Sequence, residues 1–478
     1  MLSQLQSLKF SFKQLNGIFL VFGMVLPFMI VSTIPLFHHK DVSTFSQWAD
    51  CWQRDSEHIY ENCKNAIFTP NYPYLGMALS AGVISEIKSF FRTNDIHSVA
   101  KYFRLFLAIF DAFNFLLLIG IARSLGLKYS VPIALLVALL PSTWSGGALW
   151  GQIDGISQFF LLAAVFALIS AVQTAGHGKK AASTTCFAAA LVALVGCLLT
   201  KQLTIFSVFA LIPLLIFSFA KIAAASKIQR LTALGSLIGA LGLFLVLDRR
   251  LSVPGYLGSS YLYVWLGGES RQHEMISGRI SGNGFNIWMF LERDMMSASN
   301  EPFYCHPIFE QSMCLTPRGV GRTLYFGYVS LIGYLFFLLS RRLHHFGDNG
   351  EKQTRFILAA SILFLVQINL GFNVLLTGTH ERYLYHFYPF LMIVAIFYLP
   401  YRSLLNWRHF LFFIACAIVY GMFVLSILSP MPGDWPFSGK HRFVAAIHLI
   451  LLGILTAFSV KLLKFLPNRQ QTKPWWKS

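Results

Sequence analysis

Apolar runs of about twenty residues recur from one end of this chain to the other. That is the length an α-helix needs to cross the hydrocarbon core of a bilayer. Lipid offers no hydrogen bonds to backbone N–H and C=O groups, so such runs are expected to be helical. Placing them gives twelve spans, at about 16–37, 103–122, 129–143, 154–172, 182–199, 203–220, 232–247, 323–340, 356–376, 385–400, 409–429 and 443–463. The third is short and ends at Pro141, and only Thr200, Lys201 and Gln202 separate the fifth from the sixth. Just 12% of the 478 residues are charged, about half the share in a soluble protein. A soluble enzyme, a disordered chain and a secreted domain are excluded. The expected class is an all-α polytopic membrane protein forming a single domain over 1–478, with no evident repeat of 20–50 residues and no low-complexity tract.

The formal charge of +18 raises the question of nucleic acid, and its distribution answers it. With the N-terminus in the cytoplasm, the cytoplasmic pieces are 1–15, 123–128, 173–181, 221–231, 341–355, 401–408 and 461–478. They hold 20 Lys and Arg against two acids, Asp348 and Glu351, while the rest of the chain holds 18 of each sign. The whole excess lies on one side, as the positive-inside rule requires. Seven scattered segments do not make a nucleic-acid groove, so no nucleic-acid partner is expected. The basic tail over 464–478 is expected to meet anionic lipid headgroups. The first span precedes Phe37–His38–His39–Lys40 with no small-residue cleavage pattern and is read as retained.

Two noncytoplasmic loops are then long, 38–102 and 248–322. In the first, Asp41 to Trp48 has the pattern of an amphipathic helix with Phe45 and Trp48 on one face, and 75–90 resumes as a partly apolar helix after Asn71–Tyr72–Pro73–Tyr74. In the second, 256–265 is a further candidate surface helix, followed by Ser281–Gly–Asn–Gly–Phe–Asn–Ile–Trp288. All of these helices are expected to lie against the membrane surface. Four of the seven cysteines fall in these loops: Cys51, Cys63, Cys305 and Cys314. An even number in an oxidising compartment points to two local disulfides, with three pairings open.

The polar residues near the span ends gather on the same expected face. Asp41 begins the first loop, Trp150–Gly–Gln–Ile–Asp154 opens the fourth span, Thr200–Lys201–Gln202 is an outer turn, and Thr379–His380–Glu381–Arg382 lies between the ninth and tenth spans. Ionisable groups at membrane depth are costly unless paired or wet, which makes each a functional candidate. Each also has an ordinary explanation. Asp41 and Asp154 could cap helices, Lys201 could snorkel to headgroups, and Glu381 and Arg382 could tie neighbouring helices together. Arg104 and Asp111, seven apart on the second span, are expected to pair internally. His38–His39, His273–Glu274 and His344–His345 supply no fixed set of three metal ligands. A divalent metal remains compatible with the chemistry, without a site for it in the sequence.

Taken in order, Asp41-x-x-x-Phe45-x-x-Trp48, Tyr72–Pro–Tyr74, Trp150–Gly–Gln–Ile–Asp154, Lys201–Gln202, Asn286–Ile–Trp288 and His380–Glu–Arg–Tyr–Leu–Tyr385 resemble the GT-C superfamily of integral membrane glycosyltransferases. Within it they look most like prokaryotic mannosyltransferase-like proteins related to GPI mannosyltransferase 2. The resemblance covers residues 15 to about 400. It implies a GT-C-like helical fold, a sugar donor linked to a polyprenyl phosphate, and transfer to a lipid-linked or glycan acceptor on the noncytoplasmic face. It also implies that Asp41 is the general base. Where the family pattern has proline after the final tyrosine, this chain has His386.

On chemical grounds, displacement at an anomeric carbon needs a base for the incoming hydroxyl and cations for the leaving phosphate. Asp41 suits the first role, and Lys201 and Arg382 suit the second. Gln152, Asp154, His380 and Glu381 could orient hydroxyls, while Trp150, Trp265 and Trp288 could flank the sugar or prenyl chain. A single displacement inverts the anomeric configuration. The expected reaction is hexosyl transfer, mannosyl in the closest resemblance, in a bacterial inner membrane or an endoplasmic-reticulum membrane. A transporter or lipid-linked-glycan flippase, and another membrane enzyme such as a glycan polymerase or acyltransferase, are the rival classes.

Overall fold

The structure, a computed structural model, describes residues 12–34, 40–59, 63, 70, 72–201, 204–251, 284–291, 297–308, 311–343, 350–429 and 437–465. The surface helix expected over 256–265, Trp265, the histidine pairs His38–His39, His273–Glu274 and His344–His345, Gln202, and the tail beyond 465 lie outside these residues, as does the side chain of Glu381. Apart from one two-stranded hairpin, the described chain is helical.

Among the described residues nine helices are long and apolar enough to cross a membrane, or ten if one bent pair is counted as a span. The chain is a polytopic membrane protein; these helices match ten of the twelve expected runs, and the other two, 129–143 and 385–400, hold shorter helices. The 129–143 run breaks into Ser130–Leu139 and Pro141–Trp144. Leu140 between them is extended (φ −69°, ψ 130°), as the residue before a proline prefers to be. The 385–400 run gives only an eleven-residue helix, Tyr388–Tyr398, after a 3₁₀ segment at Glu381–His386. At 1.5 Å per residue that is about 16 Å, half a hydrocarbon core. The 203–220 run is the bent pair, Thr204–Ala210 and Ile212–Ala223, angled by 43°. The second span begins earlier than expected, at Ile96, because the Asp95 carboxylate accepts from the backbone of His97 and Ser98 and caps the helix. Those backbone donors, that of Ser98 foremost, hold the Asp95 carboxyl below the ordinary carboxylate range.

Helix Gly350–Leu375 is the buried axis of the bundle, its whole apolar window covered by protein. Its polar residues are used as interhelical ties. Gln367 accepts from Ser459 (3.0 Å) and Asn369 from Ser207 (2.9 Å). Lys227–Leu247 and Pro317–Leu343 are peripheral and leave Ile238 and Phe337 71% and 53% exposed, a surface suited to lipid rather than water.

The first long loop folds onto the start of helix Ile96–Ser124. Lys40–Arg54 carries Phe45 and Trp48 on one face, both buried, and packs Phe45 against Phe103 and Tyr72. The chain returns as Tyr74–Met77, a π-helical turn at Ala78–Gly82, and Val83–Phe91. The two arms are clamped by Lys88, whose Nζ reaches Asp50 (2.7 Å) and the carbonyl of Ser46 (3.1 Å). The aromatic face of this loop is therefore taken up by protein.

A disulfide joins Cys51 to Cys63, and a second joins Cys305 to Cys314 across the antiparallel hairpin Tyr304–Ile308/Gln311–Leu315. Closing the first ring removes about 3 kcal/mol of unfolded-state entropy. A Cys51→Ser/Cys63→Ser variant is expected to show a lower thermal midpoint, measured in detergent, and reductant is expected to lower the midpoint of the parent but not of the variant through this ring. Equal midpoints for parent and variant would refute a stabilising bond.

Candidate functional site

Four separate stretches meet at the ends of the helices. Asp41 stands in the first turn of Lys40–Arg54, half-buried, and its Oδ2 accepts from the indole Nε1 of Trp150 at 2.5 Å. The guanidinium of Arg382 lies 5.6 Å from the centre of the Trp150 ring and 6.0 Å from that of Tyr383, within cation–π range of both. One indole thus touches both a carboxylate and a fixed cation that lie far apart in sequence.

The turn that carries Trp150 depends on Gly151. Its φ of +82° is a conformation that L side chains rarely adopt, and a Cβ there would stand 2.7 Å from Val42 Cγ2. Val42 is the neighbour of Asp41, so the absence of a side chain at 151 lets the two stretches touch. Gly76 plays a similar part: a Cβ there would collide with the carbonyl of Thr200, so the returning arm of the first loop rests on the turn before Lys201.

Behind this pair lies a buried polar layer. Tyr72 Oη donates to Gln152 Oε1 at 2.9 Å. Desolvation pushes the Tyr72 hydroxyl well above the ordinary phenol range; nearby Arg382 opposes the shift, while Asp41 and Asp154 add to it. Tyr72 is therefore a neutral donor. Asp154 opens helix Asp154–Gly176 and forms a buried ion pair with Lys201, which follows the end of Lys180–Thr200. The ammonium of Lys201 also lies 5.9 Å from the Tyr383 ring. His386 completes the layer, with Nδ1 2.6 Å from Gln158 Oε1, Nε2 3.2 Å from Ser157 Oγ and 3.7 Å from Asp154 Oδ1. Asp154 Oδ2 is buried without a hydrogen-bond partner among the described residues.

The remaining site candidates have other surroundings. His380 packs its ring 5.2 Å from that of Tyr383. Trp288 is buried and donates from Nε1 to the carbonyl of Leu375 (2.8 Å), and Asn286 donates to Thr379 Oγ1 (3.1 Å). These bonds pin the 284–291 segment to the end of helix Gly350–Leu375 and give Trp288 an anchoring task there. Asp111 accepts from Tyr385 Oη (2.9 Å) and from the backbone of Ala148 (3.1 Å), so its carboxylate serves a different purpose from the internal pair expected with Arg104. Two residues seven apart share a helix face, yet about 10 Å of axial rise separates them.

Sequence reasoning assigned no role to Tyr72, Tyr383, Ser157, Gln158 or His386. Ser157 and Gln158 follow Asp154 by three and four residues, the spacing that puts them on its face, and that signal could have found them. Tyr72 and Tyr383 carry no charge and stand out only through their contacts. Among the described residues no group of three or more His, Cys, Asp or Glu side chains is placed to hold a metal ion. The assembled site offers a proton acceptor at Asp41, a cation at Arg382 and hydrogen-bonding groups behind them.

No protein-family model matches the chain, and no curated protein does. Among solved structures, the oligosaccharyltransferase AglB of Archaeoglobus fulgidus, in complex with an inhibitory peptide and a dolichol-phosphate, aligns at 12% identity over 96% of this chain and 57% of its own, with a TM-score of 0.40. ArnT from Cupriavidus metallidurans, bound to undecaprenyl phosphate, aligns at 14% identity over 95% of this chain and 77% of its own, with a TM-score of 0.41. The chain thus spans a little over half the length of the archaeal protein.

Proposed function

We propose that this chain is a GT-C-like membrane glycosyltransferase that moves a hexosyl group, mannosyl in the closest resemblance, from a polyprenyl-phosphate donor to a lipid-linked or glycan acceptor on the noncytoplasmic face. The observation that carries the proposal is the indole of Trp150, which holds Asp41 by a hydrogen bond and Arg382 by its ring face. A candidate base and a candidate phosphate ligand are thereby set on either side of one residue.

In the proposed step the acceptor oxygen attacks the anomeric carbon and its proton passes to Asp41. The bond from that carbon to the phosphate oxygen breaks, and the polyprenyl phosphate leaves with the electron pair. Arg382 offsets the charge that grows on the phosphate. Lys201 contributes a field that Asp154 largely cancels, so Arg382 is the principal phosphate ligand in this scheme. Tyr72, Gln152 and the unpartnered oxygen of Asp154 would orient sugar hydroxyls. One displacement inverts the anomeric configuration. The one-sided charge supports a cytoplasmic N-terminus, which places Asp41 and Arg382 on the opposite face.

A transport site is expected near the bilayer midplane, at broken helices. Here Asp154 begins a helix, Lys201 follows one, and Arg382 lies in the connection beyond Leu375. Such an end-of-helix position favours surface chemistry. The test is incubation of the purified protein with a panel of radiolabelled polyprenyl-phosphate sugars and a membrane lipid extract. Release of polyprenyl phosphate coupled to a labelled product supports the proposal; no transfer from any donor, with sugar translocation in proteoliposomes, would replace it by transport.

Trp150→Phe keeps a ring for Arg382 and removes the N–H that fixes Asp41. It is expected to lower kcat about tenfold with the donor KM unchanged, the size of one hydrogen bond to a charged group. Trp150→Ala should impair both constants. Steady-state kinetics decide the matter, and equal effects of the two substitutions would remove the positioning role.

A further inference from the structure

At the end of helix Ile96–Ser124 remote from Asp41, the chain turns into helix Ser130–Leu139 beside the start of helix Phe12–Thr33. A cavity of about 330 Å³ opens there. Its polar wall is formed by Asn16, Arg123, Lys128 and Ser130, its apolar wall includes Leu127 and Val131, and no acidic residue lines it. We propose that this cavity binds the phosphate-bearing headgroup of an anionic lipid.

Each cation has a contact beside the cavity. Arg123 donates from Nε to Ser130 Oγ at 3.1 Å, which leaves both terminal nitrogens of its guanidinium for an anion. Lys128 Nζ sits 5.4 Å from the centre of the Tyr129 ring, a residue 49% exposed. The turn between them is set by Gly126, whose φ is +80° and whose place a side chain could share only by colliding with Arg355. Arg355 is itself paired with Glu351, so the nearby carboxylate is already engaged outside the cavity. The result is a pocket with two cations and no lining acid, which suits the charge of a phosphate group.

Position favours a lipid as the source of the anion. From Arg104, which lies near Gly151 in the candidate site, to Arg123 the helix runs nineteen residues. That is about 28 Å, close to the thickness of the hydrocarbon core. The cavity therefore lies at the opposite membrane boundary, between apolar helices, where an acyl chain could pass along Leu127 and Val131 while the headgroup meets the cations. The proposal is independent of glycosyl transfer.

The test uses the full chain, purified in neutral detergent and depleted of lipid, with its thermal midpoint followed during titration with phosphatidylglycerol, phosphatidylcholine or inorganic phosphate. Phosphatidylglycerol is expected to raise the midpoint saturably, and phosphatidylcholine and inorganic phosphate are not. Arg123→Gln with Lys128→Gln should weaken the apparent phosphatidylglycerol affinity about tenfold. Arg123→Lys, which keeps the charge, should stay within about threefold, and Arg402→Gln, an exposed cation on another connection, should change nothing. Unchanged affinity in the double variant overturns the proposal, as does an equal loss in Arg402→Gln. An equal response to inorganic phosphate would assign the cavity to a free anion and overturn the lipid.

Discussion

Replacing Asp41 with asparagine is expected to reduce transfer at least about a hundredfold, the lower end of what a positioned general base contributes. The substitution is chosen for what it preserves. The amide oxygen can still accept from Trp150 Nε1, so the bond that ties residue 41 to the indole beside Arg382 is kept. Only the charge and the proton affinity are lost. The variant should fold with the parental thermal midpoint, bind the polyprenyl-phosphate donor with unchanged affinity and fail to turn it over. Near-parental turnover would show that the acceptor proton goes elsewhere and would leave the carboxylate as a helix-start residue. Loss of donor binding instead would make Asp41 part of the sugar pocket.

The second large effect concerns stability. Lys201→Met is expected to destabilise the fold by about 3–5 kcal/mol, because it leaves the Asp154 carboxylate buried and without its counter-ion. The partner change should repair much of this. Asp154→Asn together with Lys201→Met removes both charges, and replacing a buried pair as a unit is often close to neutral. Thermal midpoints of the single and double variants in one detergent form the cycle. A single variant as stable as the parent would mean that water or another cation reaches Asp154. A double variant no better than Lys201→Met would mean that the damage is steric. If the double variant folds but uses the donor poorly, the Asp154–Lys201 pair also acts on the donor; if it transfers normally, Arg382 acts alone.

Much of this could be read from the chain before its fold. Hydropathy placed the long helices because lipid-facing and buried residues are both apolar, and a run of twenty is hard to mistake. It gave no sign of the breaks at 129–143 and 385–400, because apolar content counts residues without asking whether the backbone can stay helical. Pro141 and the 3₁₀ turn at Glu381–His386 interrupt it. At the site, Asp41, Trp150, Asp154, Lys201 and Arg382 announced themselves by charge or by position at span ends. Their partnerships did not. Nothing in the order of residues tells Lys201 to join Asp154 or Trp150 to donate to Asp41, because those bonds depend on how four helix ends converge. Asp111 shows the same limit, since helical spacing offered Arg104 and the fold supplied Tyr385 and Ala148.

The meeting of Asp41 with Trp150 and Arg382 also bears on biogenesis. Roughly 340 residues of chain separate the acid from the guanidinium, and most of the helices lie between them. As the ribosome delivers the protein to the membrane, the acid emerges first and waits while most of the bundle inserts. The proposed centre is complete only when the late connection beyond Leu375 docks against the early one, so a half-made molecule has the acid without its cation.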